Sequence, residues 1–196
     1  YLDHFNENAS IKKILFKNND SELLVAYDWN YTDTYLWKID EKEKSVAEFN
    51  EKDAFIYDIL ITDKDNFISV NGNGISKWQF KKPKDKKLIY SDKNTGSEQI
   101  FDYMDGYILI DYNGTINPPT FKYLNNDINV IDEFNFPKQF NKATFSKGKS
   151  ELIGIEKDKY IHFFNLEKKT IERTIDIIEL KDVSYTHLTL PKKRKI

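Results

Sequence analysis

Histidines and paired acids are the side chains of this chain that could transfer protons or bind a metal ion. The sequence contains three histidines, at His4, His162 and His187, and no His-x-His or His-acid cluster has the spacing of metal ligands. His162 alternates with Phe163 on a predicted strand, so we interpret it as a packed or surface residue. There is no cysteine, which excludes disulfides, thiolate metal sites and a cysteine nucleophile.

Acidic pairs and a glycine-containing segment also have structural interpretations. We expect Asp63 with Asp65, and Asp102 with Asp105, to be exposed turn acids, because catalytic carboxylates must be desolvated and face each other. Residues 71–74 (Asn-Gly-Asn-Gly) are typical of a hairpin rather than of a phosphate loop. No Gly-x-Ser-x-Gly motif occurs. We therefore predict no catalytic residue, no metal ligand and no cofactor, and we expect the chain not to be an enzyme.

One aromatic segment is a candidate binding site. Trp29 and Tyr31 lie within residues 28–33, a stretch where the rest of the sequence places tight turns. A long loop that carries tryptophan and tyrosine is typical of a binding hot spot. The alternative is a longer hairpin whose rings pack on a neighbouring part of the fold. Trp29 and Tyr31 are therefore the candidate partner-binding loop, with both interpretations open.

The elements that would position these residues recur along the chain. Four segments each contain four short apolar and aromatic runs, separated by turn-forming Asn, Asp and Gly. A third-strand aromatic residue recurs with gaps of 41, 45 and 41 residues, and a second-strand apolar residue with gaps of 43, 41 and 44. The period is that of a four-stranded propeller blade. The first set is Trp37, Trp78, Tyr123 and Phe164, and the second set is Leu24, Phe67, Ile108 and Leu152.

The repeat predicts an all-β fold, a β-propeller fragment of about four four-stranded antiparallel blades in an open ring. The partial propeller covers residues 1–182, and Trp37 and Trp78 are expected in blade cores. Because the chain begins without Met and is expected to end in a non-native tail, we expect it to be truncated at both ends. The repeats cover approximately residues 9–52, 53–94, 95–138 and 139–180, with hairpins predicted at 71–74, 113–114 and 157–158.

Over roughly residues 11–175, the chain resembles the WD-repeat proteins, most closely in the fourth repeat. Residues 143–152 (Ala-Thr-Phe-Ser-Lys-Gly-Lys-Ser-Glu-Leu) are similar to the family's first turn and second strand. Residues 158–166 (Asp-Lys-Tyr-Ile-His-Phe-Phe-Asn-Leu) are similar to its Asp-x-Thr-Ile-x-x-Trp-Asp-Leu segment. No Trp-Asp or Gly-His dipeptide occurs, and the sequence does not supply the family's Asp–His–Ser–Trp hydrogen-bond tetrad in any repeat.

This resemblance implies a non-catalytic interaction scaffold that binds one or more proteins. Two alternatives stay open, a propeller-based enzyme and a module that binds a small ligand or a glycan. In either alternative, the site would lie in missing blades or in a fused domain.

The end of the chain is expected to be a non-native tail, residues 183–196. Residues 183–191 (Val-Ser-Tyr-Thr-His-Leu-Thr-Leu-Pro) resemble one translated reading frame of a sequencing adapter, although they could also form a genuine final strand. Residues 191–195 (Pro-Lys-Lys-Arg-Lys) resemble a nuclear localisation signal, which we discount because it follows the adapter-like segment.

Charge and hydropathy narrow the expected partners. Without the four basic residues of the tail, the net charge changes from −2 to −6. An acidic chain without a basic stripe argues against nucleic-acid binding. No apolar run approaches the length of a membrane span and no signal peptide is visible, so we expect no membrane partner and a cytoplasmic location.

Overall fold

The computed structural model describes residues 10–17, 21–28, 33–38, 45–50, 55–91, 98–112, 118–140, 142–146, 151–157 and 159–177. Within these residues the chain forms sixteen β-strands in four four-stranded antiparallel sheets. In every sheet the strands lie in chain order, which is the topology of a propeller blade. The predicted all-β class and the arrangement as four-stranded antiparallel blades are confirmed.

The four blades follow one another along the chain. Blade 1 contains β1 (Ser10–Lys17), β2 (Glu22–Asp28), β3 (Asp33–Lys38) and β4 (Ser45–Asn50). Blade 2 contains β5 (Ile56–Ile61), β6 (Asn66–Asn71), β7 (Gly74–Gln79) and β8 (Lys82–Ser91). Blade 3 contains β9 (Glu98–Tyr103), β10 (Gly106–Asp111), β11 (Thr120–Asn125) and β12 (Val130–Asn135). Blade 4 contains β13 (Lys142–Phe145), β14 (Glu151–Glu156), β15 (Tyr160–Asn165) and β16 (Thr170–Asp176).

The chain divides into two compact units, Tyr1–Gln139 with blades 1 to 3 and Phe140–Ile196 with blade 4. In the first unit, an aromatic core fills the space between blades 1 and 2. The Phe49 ring meets the edges of Phe67 at 4.8 Å and Trp78 at 5.8 Å between centroids, a favourable aromatic geometry. The buried members of this core are Leu24, Ala26, Leu36, Phe49, Ile56, Ile59, Phe67, Trp78 and Phe80.

An aliphatic core joins the other face of blade 2 to blade 3. Both faces of blade 2 are therefore buried, whereas its outer strand β8 is mostly exposed. The strands alternate accordingly, since successive side chains of a strand point to opposite faces. The buried members of this core are Ile68, Val70, Ile75, Ile100, Leu109, Leu124 and Ile128.

Blade 4, in the second unit, has its own buried residues. Leu152 and Phe164 are directly paired on neighbouring strands and are both fully buried. Gly154 follows on the same face, and a Cβ there would lie only 3.1 Å from the Phe140 ring. The absence of a side chain at Gly154 therefore lets the Phe140 ring pack directly on β14.

The repeat markers predicted from sequence are wrong by one residue in two blades. Phe67 and Trp78 pair on the face of blade 2 that packs on blade 1. In blade 3, the pair that faces the preceding blade is Tyr107 with Leu124, whereas Ile108 and Tyr123 lie on the opposite face. In blade 1, the predicted marker Leu24 faces blade 2. The residue of blade 1 that corresponds to Phe67 of blade 2 is therefore Leu23, which pairs with Trp37. A one-residue slip exchanges the two faces of a strand, and spacing alone does not detect it.

A backbone irregularity supports the corrected register. In all four blades the pairing between third and fourth strands shifts register, at one place in blades 1, 3 and 4 and at two places in blade 2. A bulge in a strand adds a residue to it and increases its twist. The shifts common to the four blades fall at Leu36/Trp37, Lys77/Gln79, Tyr123/Leu124 and Phe163/Phe164, and the additional shift of blade 2 falls at Ile75/Ser76.

Two strands begin at residues that the apolar pattern of the sequence does not indicate. Strand β12 begins at Val130, two residues after the apolar Ile128, because Ile128 adopts a positive φ of 63° and stays buried. The Asn125 side chain accepts hydrogen bonds from the backbone N–H groups of Asp127 and Asn129, which stabilises this turn. Strand β8 begins at Lys82, earlier than the apolar residues indicated.

The hairpin predicted at residues 71–74 is confirmed. Asn71 pairs with Gly74, and the Asn71 side chain accepts a hydrogen bond from the Asn73 N–H. Gly74 has a positive φ of 124°. Glycine is needed there because a Cβ would lie 2.0 Å from the Tyr90 carbonyl oxygen.

The Gly74→Ala substitution is therefore expected to lower the free energy of unfolding of the first unit by about 2 kcal/mol. Urea unfolding followed by tryptophan fluorescence measures this loss, since all three tryptophans lie in residues 1–139. The matched control is Asn73→Ala in the same turn, for which we expect a change within about 0.5 kcal/mol. Equal stability of the Gly74→Ala variant and the wild type would contradict the assigned turn geometry.

Candidate functional site

The predicted partner-binding residues Trp29 and Tyr31 lie outside the described residues, as do His4, His187 and the tail 183–196. Of the two tryptophans expected in blade cores, Trp78 is confirmed, at 2% exposure. The backbone of Trp37 belongs to β3, and its side chain is not among those that the structure describes.

The acidic pairs expected in exposed turns are found there. Asp63, Asp102 and Asp105 are exposed, and the Asp65 side chain is 48% exposed. The Asp63 carboxylate accepts hydrogen bonds from the Asp65 N–H at 2.8 Å and from the Asn66 side chain at 2.9 Å. Slight burial raises the pKa of Asp63, but these hydrogen bonds outweigh it and hold the pKa below its usual value. Asp63 therefore organises the β5–β6 turn.

His162 is a packed residue, which was one of the two expected environments. It is 2% exposed, with Nδ1 2.9 Å from Thr174 Oγ1 and Nε2 2.9 Å from Glu156 Oε2. Which of the two ring nitrogens donates depends on the tautomer of the imidazole. A general base needs a ring nitrogen that faces the substrate. Because both nitrogens are engaged inside blade 4, His162 links β14, β15 and β16.

The first strands of blades 1, 2 and 3 meet at a buried carboxylate that sequence analysis missed. Asp58 on β5 is 3% exposed, and its Oδ1 lies 2.6 Å from Lys13 Nζ on β1. Its Oδ2 accepts a hydrogen bond from the Ile100 N–H on β9 at 3.0 Å. We call Lys13, Asp58 and the Ile100 N–H the inner-strand cluster. It ties three blades together through one side chain.

Two bulges aim the charged residues of the inner-strand cluster. The β1–β2 register shifts between Ile11 and Lys13, and the β5–β6 register shifts between Ile56 and Asp58. An extra residue in a strand re-aims the side chain that follows it, here Lys13 and Asp58. The sequence signal that could have revealed the cluster is an acid inside an otherwise apolar strand, with lysines at the matching place one repeat earlier.

Burial dominates the ionisation of Asp58. It raises the pKa of this carboxyl even though the Lys13 ammonium and the hydrogen bonds from Ile100 and Ile59 favour the charged form. A native pKa above the unfolded value means that the native state holds the proton more tightly. The contribution of this group to stability is then largest below the unfolded pKa and is lost as the pH rises through the native pKa.

The Asp58→Asn variant, which does not ionise at this position, makes that pH dependence measurable. Relative to this variant, the wild type should be most stable below the ordinary aspartate pKa of 3.8 and should lose relative stability as the pH rises. Urea midpoints of both proteins across a pH series measure the difference. A wild-type advantage that grows with rising pH would contradict the raised pKa.

A second polar network lies inside blade 2. The Trp78 indole N–H donates to Ser69 Oγ at 2.9 Å, and the Asn71 side chain donates to Ser76 Oγ at 3.2 Å. All four residues are buried. The sequence analysis found no repeat able to form the WD-repeat tetrad, and the Ser69–Trp78 bond reproduces only its Ser–Trp half.

Among the described residues, no group of three or more His, Asp or Glu residues could hold a metal ion. Among the same residues, no helix has the length and apolar character needed to cross a membrane. No protein-family profile matches the sequence, and no curated protein matches it.

Proposed function

We propose that this chain is a non-catalytic interaction scaffold of the WD-repeat type, which holds one or more protein partners on a rigid set of blades. The observation that carries the proposal is the repeated four-stranded blade itself, with Asp58 joining three of the blades. Propeller blades provide a rigid frame whose strand edges and loops are left for binding. The proposal includes a cytoplasmic location and excludes nucleic acid and membranes as partners.

The buried polar groups support a structural role. Asp58 links the first strands of blades 1 to 3, Trp78 and Ser69 join two strands of blade 2, and His162 joins three strands of blade 4. A catalytic or ligand-binding group usually lies in a cleft with its polar atoms facing the substrate. These side chains instead direct their polar atoms at neighbouring strands.

The WD-repeat element of the proposal is supported by local geometry. The Ser69–Trp78 hydrogen bond joins a second-strand serine to a third-strand tryptophan inside a blade. This matches the Ser–Trp part of the tetrad in that family. The recurring third-to-fourth strand bulge shows that the four blades share one architecture despite their different sequences.

The exposed apolar side chains of β1 support partner binding. Ile11, Ile14 and Phe16 are 47% to 61% exposed and lie on the face of blade 1 that points away from blade 2. On blade 2, Ile59 lies on the corresponding face, the one that points toward blade 1, and blade 1 buries it fully. Exposed apolar clusters on a soluble protein commonly mark interaction surfaces.

Affinity capture followed by binary titration tests the proposal. Proteins retained by the immobilised chain are identified, purified and titrated against it by calorimetry. The matched control is Trp78→Ala, which should lose any partner that requires intact blades and keep proteins that bind unfolded chain. The proposal is wrong if no protein shows saturable binding, or if every captured protein binds the control equally well.

A further inference from the structure

The outer strand of blade 2 carries an unusual concentration of positive charge. Residues 81–87 (Lys-Lys-Pro-Lys-Asp-Lys-Lys) contain five lysines and one acid in a chain of net charge −2. Within β8, all four lysines are exposed, as is Leu88 at 48%. We call Lys82, Lys84, Lys86, Lys87 and Leu88 the β8 edge.

Two lysines at or beside the β8 edge pair with exposed acids. Asp85 lies 4.0 Å from Lys82, and Asp65 lies 3.8 Å from Lys81, with all four side chains about half exposed or more. Exposed pairs at such distances contribute little to stability. Lys77 lies directly opposite Lys87 across the β7–β8 pair, and like charges at that position repel each other. Lys86 in addition has an interaction within blade 2, with its Nζ 5.9 Å from the centroid of the Trp78 ring.

The backbone of β8 also has an available edge. Strand β8 is last in the order β5-β6-β7-β8, and in the described part of the chain only β7 pairs with it. An exposed strand edge presents N–H and C=O groups that an extended peptide can pair with. Lysines on an edge can also simply prevent aggregation. Against that explanation, the outer strand β12 instead carries exposed Asp132 and Glu133 together with exposed Ile131.

We propose that the β8 edge binds an acidic, extended peptide segment of a partner protein, which adds to blade 2 as a fifth strand. This inference rests on the proposed scaffold function and identifies one of its docking surfaces. Backbone pairing holds the peptide in register, carboxylates of the peptide face the lysines, and an apolar residue contacts Leu88.

The chemistry of the edge favours a peptide over other polyanions. Binding of single-stranded nucleic acid combines a basic groove with exposed aromatic rings for stacking. No arginine lies on β8, and its Tyr90 ring packs against the core between blades 2 and 3. Binding to a membrane surface would require several exposed large apolar residues beside the lysines. On β8, Leu88 is the only exposed residue of this kind.

Fluorescence anisotropy with a synthetic peptide tests the proposal. The probe is a labelled peptide of alternating glutamate and valine as long as β8, and its counterpart replaces glutamate with lysine. The full chain should bind the acidic peptide saturably and the basic peptide not at all. Binding should weaken as salt is added, because exposed charges are screened. Hydrogen exchange should slow at those amides of β8 that point away from β7 when the acidic peptide binds.

Two paired variants locate the site. The double variant Lys84→Glu with Lys87→Glu should weaken binding at least about tenfold. It should fold normally, because both residues are exposed and the carboxylate introduced at position 87 would lie opposite Lys77. The matched control, Lys12→Glu with Lys138→Glu, changes two exposed lysines of the first unit that do not belong to β8, and it should bind like the wild type.

Several results would overturn the inference. These are no saturable binding, equal weakening by both double variants, or tighter binding to a single-stranded oligonucleotide or to phosphatidylserine vesicles than to the peptide. The capture experiment separates this failure from failure of the scaffold proposal. If captured partners bind the Lys84/Lys87 variant as well as the wild type, the scaffold stands and the β8 edge does not serve them.

Discussion

Replacing Asp58 with alanine is expected to lower the free energy of unfolding of the first unit by about 3 kcal/mol. The substitution removes the acceptor of the Ile100 N–H and the partner of the Lys13 ammonium at a site that is 3% exposed. A buried N–H left without an acceptor costs about 1–3 kcal/mol. The loss of the charge pair adds less than in a fully buried site, because the Lys13 side chain is 27% exposed.

Tryptophan fluorescence during urea unfolding measures this effect, since the three tryptophans lie in the first unit. The matched control is Asp105→Ala, an exposed acid in the turn between β9 and β10 of the same unit, which should change stability by much less. The same loss in both variants would show that Asp58 does not join the blades. Lys13→Met should also destabilise the unit, because it leaves the Asp58 carboxylate buried without its cation.

Trp78→Ala is the second large effect, with an expected loss of about 4 kcal/mol from the cavity that it leaves. The Trp78 ring is 2% exposed, stacks on Phe67 with centroids 6.0 Å apart, and meets the Phe49 edge. Removing it opens the core between blades 1 and 2 and leaves the Ser69 hydroxyl without its indole donor. Trp29 and Trp37 remain as fluorescent probes in the variant.

Two further substitutions separate packing from hydrogen bonding. Trp78→Phe keeps most of the ring volume but lacks the N–H, so its loss should be about half that of alanine or less. Ser69→Ala removes the acceptor alone and should cost about 1 kcal/mol. If Trp78→Ala costs no more than Ser69→Ala, the aromatic core does not hold blades 1 and 2 together.

Both effects concern the rigidity on which a scaffold depends. A binding surface spread over several blades keeps its shape only if neighbouring blades stay in register. Asp58 provides this connection at the first strands, and the aromatic core provides it between the sheets of blades 1 and 2. Variants at these positions should therefore weaken the binding of partners that contact more than one blade of the first unit.

Much of the fold could be predicted because it rests on local patterns. Apolar runs bounded by Asn, Asp and Gly placed all sixteen strands approximately, and their spacing predicted four blades. The hairpin at residues 71–74 was predicted because Asn and Gly favour tight turns. The environment of Trp78 was predicted because a large aromatic residue that recurs with the period belongs in a core.

The candidate site was less predictable, because its residues come from distant parts of the chain. Lys13, Asp58 and Ile100 lie about one repeat apart, and only packing of successive blades brings them together. For Lys13 and Asp58, the direction of the side chain also depends on bulges that spacing does not reveal. The same reason explains why Ile108 and Tyr123 were assigned to the wrong face of blade 3.

The sequence by itself therefore determined the strand class, the four-blade repeat, the hairpin at residues 71–74 and the lack of any cysteine chemistry, because these follow from composition and short-range pattern. The hairpins predicted at 113–114 and 157–158 involve residues that lie outside the described ones. Only the tertiary structure decided which face of each strand is buried and that Asp58 and His162 join neighbouring strands. It also decided that the lysines of β8 lie on a strand that pairs, among the described strands, only with β7. The physical reason is that burial and ion pairing depend on neighbours that are remote in sequence, whereas strand formation depends mainly on adjacent residues.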